Sequence, residues 1–200
     1  MTPYCVPLGR QNVQLYQYYH VQDERIVHKN NGVLDHAYQP WILDDQVVSM
    51  LKESGLDILG GVLKLTERTK FQEVVLNSLV LYSKSSLMKE PSDKLVYILV
   101  ALESLLLKSE NEPIMQNIAE RMAFVVKNTV DERKELVKLV KDIYSLRSKF
   151  IHHGRSIADM ERLEKFMFEA FLFFINVLFY INKFITKEDF IESLEEMKFS

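Results

Sequence analysis

The stretch Tyr144-Ser145-Leu146-Arg147-Ser148-Lys149-Phe150-Ile151-His152-His153-Gly154 gathers the residues whose types could do chemistry. It sets Arg147, a permanently charged guanidinium, five residues ahead of His152, an imidazole of the kind that titrates near neutral pH. A guanidinium and an imidazole can together attract and hold an anion such as phosphate. On an uninterrupted helix, five residues turn the chain by about 140°, so the two would not share a face. They converge only if the helix frays at His152 or if a second subunit brings its own pair alongside. The local charge favours an anion. Residues 121–155 carry nine Lys or Arg against four Asp or Glu, within a chain of net charge -3. A second reading stays open. Cations near a helix C-terminus are favoured by the macrodipole by about 0.3–1 kcal/mol each, and Arg147, Lys149 and His152 could be solvated and inert.

Other chemistries lack their residues. There is no glycine-rich phosphate loop, no Gly-x-Ser-x-Gly elbow, no His-Glu-x-x-His helix and no Cys-x-x-Cys pair. His152 and His153 are adjacent, about 100° apart on a helix, with no Asp or Glu within four residues, so neither a metal nor any other cofactor is expected. His20, His28 and His36 fit no ligand geometry. The single cysteine, Cys5, excludes a disulfide framework and suits a reducing cytoplasm. The start, Met1-Thr2-Pro3-Tyr4, has neither a basic nor an apolar signal region, so the expected location is cytoplasmic. Residues 166–184 approach the roughly 20 apolar residues of a membrane span. They include Glu169, Asn176, Asn182 and Lys183, so a helix buried in a core or a subunit seam explains them better.

The elements that must position Arg147 and His152 are helices. Six Gly and five Pro in 200 residues argue against a loop-rich β-sandwich, and 48% hydrophobic residues supply a core. Residues 1–60 are expected to form an N-terminal arm and a short helix. The arm is rich in Tyr, Gln and Asn, and its Asn31-Gly32 dipeptide signals a hairpin. Trp41 beside Pro40 would anchor it by packing. The short helix spans 44–53 and ends at Ser54-Gly55, and Gly60-Gly61 would break the chain again. Residues 61–200 are expected to be a bundle. Helices are read over 66–88, from a Ser92 cap to about 108, over 113–127, and from 131 to a Gly154 cap. The longest is read over 156–184, and Thr186 would cap a final acidic one. The fold class is an all-α antiparallel helical bundle with a short extended or hairpin arm.

With those blocks in place, the sequence resembles the HEPN superfamily, and within it the Apea-like branch. Three ordered blocks carry the resemblance: Leu95-Val96-Tyr97-Ile98-Leu99-Val100-Ala101-Leu102-Glu103-Ser104-Leu105-Leu106, then Gln116-Asn117-Ile118-Ala119-Glu120-Arg121-Met122-Ala123-Phe124, then the Arg-x-x-x-x-His string. The resemblance as a whole covers about residues 65–185. The branch commonly has glycine directly after the histidine, whereas here His153 precedes Gly154. The resemblance implies a homodimer that sets two Arg/His pairs across one cleft and cleaves RNA without metal, in phage defence or as a toxin. On it, Arg147 and His152 are the catalytic pair. Glu103 orients the arginine, Ser148 and His153 support, and Lys149 and Arg155 bind RNA. An antitoxin or sensor protein would be a further partner, and no membrane is involved.

The implied reaction suits these groups. An imidazole can take the proton of an RNA 2′-hydroxyl, worth roughly 10²–10⁴ in rate. A guanidinium can grip two oxygens of the phosphorane that forms. Two alternatives remain. One is a non-catalytic module of the same fold that binds RNA, a nucleotide or a partner protein; the other is a purely structural dimerisation domain.

Overall fold

The computed structural model describes residues 14–22, 25–34, 44–88, 90–109, 111–153 and 159–198, with side chains from residue 44 onward except those of 149–153. The chain divides into two units, Met1–Asp44 and Asp45–Ser200. In the first, β1 (Gln14–Gln22) and β2 (Arg25–Leu34) form an antiparallel hairpin. The Asn-Gly dipeptide is not its turn. Asn31 and Gly32 pair with Gln17 and Tyr16 inside the ladder, and β1 ends at Gln22 with β2 starting at Arg25. The register shifts between Tyr18, paired with Asn30, and Tyr19, paired with His28. That leaves Lys29 as the extra residue of a bulge. Cys5, His36, Pro40 and Trp41 lie outside the described residues.

The second unit opens at Asp45, ahead of the expected boundary at 60. It takes in α1 (Asp45–Glu53) and α2 (Leu56–Leu63). Gly55 separates them in the left-handed conformation, at φ 91°, and a Cβ there would sit 3.2 Å from the Leu178 side chain. Gly60-Gly61 does not break the chain; α2 runs through both. Glycine costs about 1 kcal/mol of helix propensity but removes no hydrogen bond, and Val62, 1% exposed, ties this helix down.

The helices α3 (Lys70–Leu87), α4 (Pro91–Leu106) and α5 (Ile114–Val126) follow. Thr69 caps α3 in a reciprocal box with Gln72, so α3 starts four residues later than its apolar spacing suggested. Pro91 takes the first helical position of α4 and Glu90 the cap, which puts Ser92 inside the helix instead of at its end. The last three are α6 (Val130–His153), α7 (Met160–Leu178) and α8 (Lys187–Glu196), with Thr186 capping α8 as expected. Among the described helices the longest is α6, of 24 residues, and not α7, of 19. The apolar run continues past Leu178, but Asn182 accepts from Gln72 Nε2 at 2.9 Å and the Ile185 carbonyl accepts from Phe71 N–H at 2.9 Å. Those bonds turn the chain back onto the start of α3, where Phe71, Tyr180, Phe184 and Phe190 cluster.

Helix α4 is the hub of the bundle, packing against α3, α5, α6, α7 and α8, while α5 packs against α4, α6, α7 and α8. The α4 stripe Leu95, Ile98, Leu99, Leu102 and Leu106 is buried, as its spacing predicted, together with Met122, Phe166 and Phe173. Truncating one such Leu to Ala typically costs 2–5 kcal/mol.

Candidate functional site

Helix α6 buries Leu136, Val140 and Ile143 in the core. Continuing that stripe by one turn reaches Arg147, which therefore leaves the core pointing along the seam with α4. Glu103 flanks the buried stripe of α4 on the same seam. Its Oε1 accepts from Arg147 Nη1 at 3.2 Å and from the Tyr144 hydroxyl at 2.9 Å. The two side chains of the ion pair are 21% (Glu103) and 27% (Arg147) exposed, so the pair sits at the rim of the bundle, not inside it.

The geometry leaves Arg147 with donors to spare. Its Nε is buried with no partner, and its Nη2 has none among the described residues. Burial, then the adjacent Glu103 charge, push the Tyr144 phenol well above its ordinary range, so it stays protonated and donates to Glu103. A guanidinium held through Nη1, with Nη2 free of a partner among the described residues, can take a further anionic oxygen in a fixed orientation. Tyr144 is the residue of this site to which sequence reasoning assigned no role. Its signal was its place three residues before Arg147 on one helix face.

Helix α6 continues unbroken through His153. Fraying at His152 is therefore closed as a route to convergence, and the backbone keeps positions 147 and 152 about 140° apart. Ser148 is exposed. The side chains of Lys149, His152 and His153, and the whole of Gly154 and Arg155, lie outside the described residues.

The basic segment is less uniform than its count suggested. Arg121 is 3% exposed with both terminal nitrogens paired: Nη1 and Nη2 bind Glu112 at 2.8 and 3.1 Å, and Nη2 binds Glu195 at 2.6 Å, while its Nε, like that of Arg147, is buried without a partner. It belongs to a clamp that fastens α8 to α5, not to an anion patch. Lys127 turns inward to Glu169, 6% exposed, at 2.8 Å. Arg133 packs inward on Phe124, and Lys134, Lys138 and Lys141 remain along the outer side of α6.

No group of three His, Cys, Asp or Glu side chains that could hold a metal occurs among the described residues, and no helix among them is long and apolar enough to cross a membrane. Comparisons with protein families, with curated proteins and with solved structures return no match.

Proposed function

We propose that this chain is a metal-independent endoribonuclease of the HEPN type, working as a cytoplasmic homodimer in phage defence or as a toxin held in check by an antitoxin or sensor protein. One observation carries the reading. Glu103, on α4, fixes Arg147 five residues ahead of His152 through Nη1 while leaving Nη2 without a partner among the described residues. In the reaction, the His152 imidazole takes the proton from an RNA 2′-oxygen, which attacks the adjacent phosphorus. The bond from phosphorus to the 5′-oxygen breaks, and that oxygen takes up a proton from solvent or from the partner's imidazolium. The products are a 2′,3′-cyclic phosphate and a 5′-hydroxyl. DNA, without a 2′-oxygen, is untouched.

The second copy is part of the proposal because one helix does not bring Arg147 and His152 together. Helix α7 buries one face in the core and exposes Phe168 and Phe171, 59% and 46%, on another. Phe168 lies eight residues from the start of α7, about 12 Å, so copies crossing there keep the ends of both α6 helices close. Phe179, 42% exposed, lies eleven residues further along and would stay outside such a crossing.

The test is purified protein with RNA in excess chelator. The expected result is cleavage ending in cyclic phosphate, reduced about 10²–10³-fold by Arg147→Ala and about 10²–10⁴-fold by His152→Ala. Phe168→Asp should give a monomer by light scattering and lose cleavage with it, whereas Phe179→Asp should do neither. Cleavage unchanged in both Arg147→Ala and His152→Ala sinks the nuclease.

A non-catalytic module is the second reading, and the same ion pair favours it. A guanidinium partly neutralised by its own carboxylate is also what a purely structural pin between α4 and α6 looks like. That reading expects RNA or nucleotide binding with no product.

A further inference from the structure

A cleft of about 500 Å³ opens between α5, α6 and the end of α8, lined by Glu120, Phe124, Arg133, Val137, Met197 and Lys198 among others. We infer that it is a nucleotide-binding exosite, in which one base of a single-stranded RNA is held while the strand's phosphates follow the lysines on the outer side of α6. The inference rests on RNA being the substrate class proposed above.

The cleft has the size of a small-ligand pocket. Its floor is a preformed stacking platform. The Arg133 guanidinium lies 4.5 Å from the centre of the Phe124 ring and is locked there by its Nε donating to the Lys127 carbonyl at 3.0 Å. Unpaired bases stack on both aromatic rings and guanidinium planes. Val130, 62% exposed, and Val137 add apolar wall. Charge at the mouth is basic. The one acid of the lining, Glu120, is paired to Lys198, and Lys134 meets Asp131 only at the exposed surface, at 3.3 Å.

The direct line along α6 from Arg133 to Arg147 passes the buried Leu136, Val140 and Ile143, so a strand leaving the cleft takes the outer side of the helix. There Lys134, Lys138 and Lys141 follow at intervals of four and three, about 80–140° around the helix from Arg133, as a track for phosphates. Single-strand binders combine such a basic track with stacking, over sites of about four nucleotides or more.

The test uses the Arg147→Ala chain in chelator, so that binding is read without cleavage, with a fluorescein-labelled single-stranded oligouridine of eight nucleotides. Anisotropy titrations at several salt concentrations separate the two parts. Lys134→Ala with Lys141→Ala should lower the slope of log affinity against log salt by about 1.4, at 0.7 per phosphate contact. Arg133→Lys keeps the charge and loses the plane, and should weaken binding about tenfold with the slope unchanged. Uridine monophosphate should compete in the Arg147→Ala chain and fail to do so after Arg133→Lys. Affinity and slope untouched by both sets of changes overturn the exosite, even if the native chain cleaves RNA. Binding that responds as described, beside a native chain that never cleaves, upholds the exosite and removes the nuclease.

Discussion

Two arginines of this bundle are each held by glutamate, and the contrast between them separates holding from acting. Arg121 is 3% exposed and meets the Leu106 carbonyl, Glu112 through two nitrogens, and Glu195. Arg147 is 27% exposed and meets one oxygen of Glu103. The first is closed to any newcomer, and it joins the α4–α5 connection to α8. The second keeps Nη2 free of a partner among the described residues and sits where a helix is ending. A desolvated ion pair tolerates no loss of a partner, whereas a part-exposed pair is cheap to break. The same residue types therefore serve the fold in one place and leave a group available in the other.

The sharpest way to break this contrast is to truncate each arginine. Arg121→Ala leaves Glu112 without its ion partner and Glu195 with Lys108 alone, and should cost about 3 kcal/mol in urea unfolding. Arg147→Ala should cost about 1 kcal/mol or less by the same measurement, and yet remove any RNA cleavage. Comparable stability losses in both variants would mean that Arg147 is a second structural pin.

Acid sharpens the comparison at the clamp. Hydrogen bonding from Arg121 holds the Glu112 carboxyl down to about 2, against an ordinary value of 4.5. Burial alone would raise Glu195, but Arg121 and Lys108 outweigh it and hold it low as well. A carboxylate depressed in the folded state contributes its full stability above the unfolded value, and loses it as pH falls through the folded one. The urea midpoint should therefore fall between pH 4.5 and 2 by more than Glu112→Gln allows, and the variant should show a flatter profile. Coincident profiles would take Glu112 out of the clamp.

How legible these features were depends on whether local chemistry or tertiary contact decides them. The α4 stripe, the Thr186 cap and the Ser54-Gly55 stop are local, and spacing or residue type suffices to read them. Ser92, Gly60-Gly61 and Asn31-Gly32 carry strong local signals that lose to a proline at the first helical position, to a continuing hydrogen-bond ladder and to strand pairing. Arg121 counts as surface charge in any composition window, because its partners Glu112 and Glu195 lie 9 and 74 residues away. The end of α7 is hidden for the same reason, since Gln72 and Asn182 meet across 110 residues. At the candidate site, position 147 could be read as continuing the stripe of Leu136, Val140 and Ile143. The Tyr144 contact could not, because it depends on where α4 lies.

Tyr144 gives the smallest expected effect and the finest test of what Glu103 does. Its hydroxyl and Arg147 share one oxygen of that carboxylate, at 2.9 and 3.2 Å. Tyr144→Phe removes one hydrogen bond and keeps the ring, so stability should fall by about 1 kcal/mol. If the phenol helps to aim Glu103 and thereby Arg147, the same change should lower kcat severalfold with little effect on KM. It should lower nothing further once Glu103→Ala has cut the connection. Residues that act through a shared partner are non-additive in this way, whereas independent ones add to within about 0.5 kcal/mol. Additive losses would leave Tyr144 a packing residue, and the carboxylate would then orient the guanidinium alone.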